Sequence, residues 1–311
     1  MRIAFVLSCS VALLSAVGTA SAQDWTKSKW GPDDEIGAAN YMKPELVVKA
    51  AGLVKTGKTY ALGIPVDSKT PAYPPRAFKI TIVQPGQAGI AGLGPSKTTY
   101  NDDILDTWVG IGSQLDGLGH IGVDHVYYNG NKLADFADPN GLKKLGVEKV
   151  PPMVTRGVLL DMAAYYNTDV VKEGTAFNVK EIEEVAKKQG VEIRQGDVVI
   201  FHTGWLSLIG KDDKRYSAGE PGLGVEGAKY LTGKGVVAIG ADSWALEVIP
   251  FESKNVFEVH QILLPMNGTY ILENMDTAEL AKDKAYEFLF VLGQARFKGA
   301  VQSMINPVAI R

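Results

Sequence analysis

Cysteine is all but missing: the 311-residue chain has one, Cys9. From residue 10 onward, disulfides, cysteine metal sites and a cysteine nucleophile are excluded. Histidine is nearly as scarce, with four copies at His120, His125, His202 and His260. There is no excess of positive charge either. Lys and Arg number 32 against 35 Asp and Glu, no polybasic run occurs, and no nucleic-acid partner is indicated. Gly52 to Thr59 spells Gly-x-x-x-x-Gly-Lys-Thr, but it leaves a predicted helix and enters a predicted strand, the reverse of a phosphate loop. Gly117 to Gly122 and Gly222 to Gly227 spell Gly-x-Gly-x-x-Gly without opening a predicted helix, and Gly-x-Ser-x-Gly is absent. No phosphate pattern therefore sits in the predicted strand-to-helix setting that makes it a cradle, and the serine nucleophile elbow is missing. No repeat, heptad or Pro/Ser-rich linker divides residues 23–311, which are read as one domain.

What is present is an ordinary globular composition, 46% apolar and 22% charged. Met1–Ala22 reads as a secretory signal peptide. Arg2 supplies the positive start, Ile3 to Val17 is mostly apolar, and Ala20-Ser21-Ala22 is a small-x-small cleavage site. The expected mature protein begins at Gln23, is periplasmic or secreted, and keeps no membrane attachment, because the apolar run is short for a span.

The periodicity predicts more strand than helix. Trp25 to Asn40 reads as a turn-rich extended arm. Helices are expected after Pro44 and between Asn178 and Gly190, the second opened by an Asn178/Glu181 capping box. Strands are expected at Tyr60–Val66, Phe78–Val83, Gly157–Asp161, Asp197–His202, Val236–Ile239, Tyr270–Leu272, Phe288–Leu292 and Ala300–Met304. Glycines 86, 89, 92 and 94 mark a long loop.

The densest chemistry lies in Gln114-Leu-Asp116-Gly-Leu-Gly-His120. An amide, a carboxylate and an imidazole fall within seven residues. Either a glycine-rich turn or a strand would converge them, since positions 114, 116 and 120 share one face of an ideal strand. A plain surface loop is the competing reading. His202 closes a predicted buried strand in Phe-His-Thr-Gly-Trp, as a core histidine or a site member; both remain open. His260 and Glu273 flank an Asn267-Gly268 turn and are expected to face one another across a hairpin. With Asp116 they would form an N/O ligand set suited to Zn²⁺ or Mn²⁺.

The chain resembles the cyclase family of metal-dependent hydrolases, which includes bacterial kynurenine formamidase and isatin hydrolase. That family carries His-x-Gly-Thr-His-x-Asp-x-Pro-x-His, and the corresponding stretch here is Gly110 to His120. The family's Asp and last His fall on Asp116 and His120, whereas its first two histidines fall on Gly110 and Gln114. Trp30 to Gly37, Thr155-Arg156-Gly157, Gly196 to Trp205, Gly240-Ala241-Asp242 and His260 to Asn274 extend the resemblance over nearly the whole mature chain.

The resemblance implies a swivelling β/β/α fold of mixed α/β class, a mostly β core with few outer helices. It also implies a homodimer or homotetramer with exchanged N-terminal arms. It places the later metal ligands on His260 and Glu273. Gly110 has no side chain and Gln114 only a neutral amide, so one metal rather than two is expected, on Asp116, His260 and Glu273 with Gln114 as a fourth ligand. The expected activity is hydrolysis of a small, cyclic amide or ester, with His120 carrying the proton. Tyr127, His202, Trp205 and Trp244 are the expected substrate-pocket residues. A lyase or cyclase, or a binding protein that has lost its chemistry, are the alternatives.

Overall fold

The structure is a computed structural model describing residues 24–83 and 91–311. The signal segment Met1–Ala22 and part of the glycine-rich loop lie outside the described residues.

Nine strands form one sheet: β1 (Thr59–Ala61), β2 (Gln114–Asp116), β3 (Met153–Asp161), β4 (Val198–His202), β5 (Ala238–Ala241), β6 (Tyr270–Glu273), β7 (Glu287–Leu292), β8 (Gln302–Met304) and β9 (Val308–Ile310). Their spatial order is β1-β9-β7-β3-β4-β5-β6-β2-β8. The four central strands β3, β4, β5 and β6 run parallel; the outer pairings are antiparallel.

A parallel sheet is covered on both faces, so its strands are apolar without alternation. Val198-Val199-Ile200-Phe201, Ala238-Ile239 and Tyr270-Ile271-Leu272 are all fully buried. Parallel neighbours also need a crossover. Helix α1 (Val179–Gln189) links β3 to β4, and α2 (Val225–Lys234) links β4 to β5. The predicted Asn178/Glu181 capping box opens α1, and Gly190 closes it in the left-handed conformation. Ile182 and Val185 on its apolar stripe are buried.

The expected hairpin around Asn267-Gly268 is not formed. The β5-to-β6 crossover is a third helix, α3 (Glu258–Gln261), continued by a wider π-helical turn over Ile262–Met266. The reason is topological: β5 and β6 are parallel, so a two-residue turn cannot join them. The apolar run Val259–Leu264 fits a buried strand or a buried helix equally well. The strand predicted at Tyr60–Val66 is shorter, Thr59–Ala61. β9 carries no sequence signal strong enough to have been expected.

The N-terminal arm packs beside Asn129 and Gly268. Ser28 N–H donates to Asn129 Oδ1 (2.9 Å), and Ala38 N–H to the Gly268 carbonyl (2.8 Å). Outside the sheet, Phe78–Val83 and Asp102–Thr107 pair as an antiparallel hairpin. No helix among the described residues is long and apolar enough to cross a membrane.

Candidate metal centre

Sheet register converts a scattered set of polar residues into one cluster. β6 and β2 place Glu273 opposite Gln114, and Ile271 opposite Asp116. β2 and β8 place Gln302 opposite Asp116. Residues in register share a face, so Gln114, Asp116, Glu273 and Gln302 project from the same side of three adjacent strands. Glu273 ends a parallel strand, where open α/β sheets commonly bind ligands. The crossover helix α3 then lowers His260 onto that face.

All of these side chains are buried. His260 Nε2 lies 3.4 Å from Glu273 Oε1 and 3.8 Å from Asp116 Oδ2. One ligand atom from each of Asp116, His260 and Glu273 falls within 4.8 Å of the others, so the group could hold a metal ion. Asp116 Oδ2 is buried with no hydrogen-bond partner among the described residues. A buried carboxylate oxygen without a partner is costly, and a divalent cation would satisfy it. Two carboxylates with an imidazole suit Zn²⁺ or Mn²⁺. The donor set therefore fits a metal.

The other ring nitrogen of His260 is held. Nδ1 lies 2.6 Å from Glu247 Oε2, which also accepts the His260 backbone N–H at 3.0 Å. A histidine that donates Nδ1–H to a carboxylate presents the Nε2 lone pair, the pattern of metal-bound histidines. Glu247→Gln is expected to weaken metal binding roughly 10–100-fold and leave stoichiometry at saturation unchanged. Titration of metal-stripped protein checks this; unchanged affinity would deny Glu247 its orienting part.

Burial works against charge in this cluster. It pushes the Glu273 carboxyl up, and the Asp116 charge adds to that push. Burial also opposes charge on His260, but its bonds to Glu247 and Glu273 outweigh this and hold its proton above the ordinary imidazole range. The cluster is thus built to carry a positive charge among its carboxylates, as a proton or as a metal.

His120 follows β2 after a turn in which its N–H bonds the Gly117 carbonyl (3.0 Å). Its Nε2 lies 3.8 Å from Asp116 Oδ2, at the solvent side, with the side chain 18% exposed. Burial lowers its proton affinity, against the pull of Asp116. His120 is accordingly a neutral base at neutral pH.

Gln114 has a different part from the one expected. Its Nε2 donates to Glu273 Oε2 (2.6 Å) and Asp116 Oδ1 (3.3 Å). An amide nitrogen has no lone pair for a metal, so Gln114 braces the two carboxylates and is not a fourth ligand in this arrangement. Gln302 Nε2 does the same for Asp116 Oδ1 at 2.7 Å. Neither Gln302 nor Glu247 was identified from sequence, because only strand register and the crossover helix bring them in.

The expected pocket residues divide. Alternation along β4 turns His202 to the face opposite Glu273, where its Nδ1 meets Thr277 Oγ1 (2.7 Å) and Asp242 Oδ2 (3.3 Å). Trp205 is fully buried, with Nε1 donating to the Tyr216 carbonyl (3.2 Å). It acts at a remove, since the Tyr216 hydroxyl bonds Asn274, the residue after Glu273. Tyr127 packs edge-on against Phe136, with ring centroids 5.3 Å apart. None of the three has a described hydrogen bond or ring contact with Asp116, His260 or Glu273. Trp244 is different. It stacks on Tyr73 (centroids 5.9 Å apart) and lines a cavity of about 110 Å³ with Pro71–Pro74 and Tyr216. Its neighbour Ser243 accepts the Asn274 N–H (2.8 Å), so the cavity adjoins the Glu273 end of β6.

The Cyclase family model matches residues 60–248, more than half of the chain. A solved structure described as a novel cyclase is 32% identical, with a TM-score of 0.83, covering 91% of this chain and 98% of its own. The chain belongs to the Cyclase family. Isatin hydrolase A from Ralstonia solanacearum is 18% identical (TM-score 0.64; 87% of this chain and 98% of that one). A predicted metal-dependent hydrolase from Bacillus stearothermophilus is 16% identical (TM-score 0.55; 82% and 98%). These two share the fold. No curated protein matches the sequence.

Proposed function

We propose that the protein is a metal-dependent hydrolase that opens a small, cyclic amide or ester, with one divalent ion, Mn²⁺ or Zn²⁺, held by Asp116, His260 and Glu273. The observation that carries this reading is the partnerless Asp116 Oδ2, buried beside His260 Nε2 and a second carboxylate. When bound, such an ion supplies Lewis acidity and lowers the pKa of a coordinated water. Glu247 fixes the His260 tautomer, and the Gln114 and Gln302 amides hold the two carboxylates in register. His120 Nε2, neutral and at the mouth of the cluster, takes a proton from the attacking water and returns it to the leaving nitrogen or oxygen. Trp244 and Tyr73 offer an apolar wall for the ring. The names of the related hydrolases support the class.

The test is a panel of formamides, lactams and lactones with mass detection, run with metal-supplemented and metal-stripped protein. A product heavier than its substrate by one water, formed only with metal, is expected. Metal-dependent turnover without that gain would make the protein a lyase or cyclase instead.

The protein is further proposed to be a homodimer or homotetramer. The Phe78–Val83/Asp102–Thr107 hairpin exposes Ile80, Ile82, Ile104 and Leu105, each about half accessible. An isolated two-stranded hairpin is marginal in water and needs a partner surface. Ile82→Lys combined with Ile104→Lys is expected to convert an oligomer to monomers in light scattering. A monomeric wild type at tens of micromolar would end this proposal.

A further inference from the structure

The cluster contains a second, unassigned cation. Arg76 follows the Pro71–Pro75 loop and is partly buried, with Nη1 donating to the Gly110 carbonyl at 2.6 Å. Among the described residues no carboxylate lies within ion-pair distance of its guanidinium. A guanidinium has five N–H donors in a planar fork that matches a carboxylate, and most of this fork is unused. Space has been made for it. A Cβ at Gly110 would lie 2.8 Å from Arg76 Nη1, and 2.5 and 2.7 Å from the Gln302 Oε1 and Nε2 atoms. Arg76 and Gln302 therefore fill the space over Gly110, and Gln302 in turn bonds Asp116. The charge of Arg76 also reaches both His120 and Glu273.

We propose that Arg76 is a substrate-binding residue, and that its guanidinium over Gly110 recognises a carboxylate carried by the substrate beside the bond to be cleaved. The proposal deepens the hydrolase reading and rests on it for the location of that bond. Its logic is the open donor set: the Arg76 guanidinium spends Nη1 on the Gly110 carbonyl and pairs with no carboxylate among the described residues, so its remaining N–H groups can take up an anionic group. The aromatic wall of Tyr73 and Trp244 comes partly from the same loop as Arg76, which favours an aromatic or other planar acid. Arg76 binds and orients; it takes no proton.

Benzoate is the probe, with benzamide as its neutral counterpart, titrated calorimetrically into wild type, Arg76→Gln and Arg76→Lys while bound metal is measured on the same samples. Benzoate affinity is expected to drop roughly 10–100-fold in Arg76→Gln, the size of a lost charge-assisted hydrogen-bond pair, and less in Arg76→Lys. Benzamide affinity and metal content are expected to stay constant. If wild type holds no metal yet benzoate binding still depends on Arg76, the anion site stands and the metal reading falls. Equal benzoate affinity in wild type and Arg76→Gln overturns the proposal, as does a wild type that binds no benzoate. Arg76→Lys keeps the charge, so it guards against misreading a folding defect in Arg76→Gln.

Discussion

Asp116→Asn protein is expected to lose its divalent ion and its turnover together. Asparagine keeps the shape of the side chain, and its amide oxygen can still accept the bonds from Gln114 and Gln302. What disappears is the charge on a fully buried oxygen, Oδ2, that has no hydrogen-bond partner among the described residues. Metal affinity should fall by more than the roughly 10–100-fold typical of changes one shell out. The fold should survive, because without metal the substitution also removes a repulsion between Asp116 and Glu273. His260→Ala and Glu273→Gln should lose metal as well. Metal affinity of the wild type should weaken as pH falls, by roughly tenfold per unit for each proton displaced. The sign follows from His260, whose raised proton affinity means that an ion at Nε2 must evict a proton. Elemental analysis against pH measures all of this. A wild type that takes up no divalent ion even after supplementation with Mn²⁺ or Zn²⁺ would refute the metal site.

His120→Ala should separate from that group. It is expected to retain its metal and turn over roughly 10²–10⁴-fold more slowly, the usual contribution of a general acid–base group. The basis is positional. His120 Nε2 sits as far from Asp116 Oδ2 as His260 Nε2 does, 3.8 Å in both cases. Yet the His260 side chain is 3% exposed and anchored by Glu247, whereas His120 is 18% exposed and has no such anchor. A proton carrier needs the solvent side; a ligand needs the fixed lone pair. If His120→Ala and Asp116→Asn lose metal equally, His120 is a ligand, and the acid–base role must be sought elsewhere.

Asp116, His260 and Glu273 were legible in the sequence because carboxylates and histidines are rare where the surrounding residues are apolar. Glu273 ends the run Tyr270-Ile271-Leu272, and His260 sits against Val259 and Ile262. The way they meet was not legible. A hairpin and a helical crossover bring residues 260 and 273 together from nearly the same apolar pattern, and only the parallel pairing of β5 with β6 decides between them. Glu247, Gln302 and Arg76 escaped notice for a related reason. Each is a common polar residue with no motif around it, and each becomes informative only through a partner far along the chain. His202 misled in the opposite direction. Rarity suggested a site, but strand alternation turns it away.

The filled space over Gly110 bears on how this site can change. In the resembling enzymes a histidine falls at this position; here Arg76 and Gln302 occupy the space that its Cβ would need. A histidine placed at 110 would have to displace the ends of both side chains before it could offer a lone pair. A smaller side chain at 302 without a larger one at 110 would leave Asp116 Oδ1 short of its amide donor. The side chains at these three positions therefore share one space. A larger side chain at 110 has to push the flexible ends of Arg76 and Gln302 aside, so the three positions are expected to vary together.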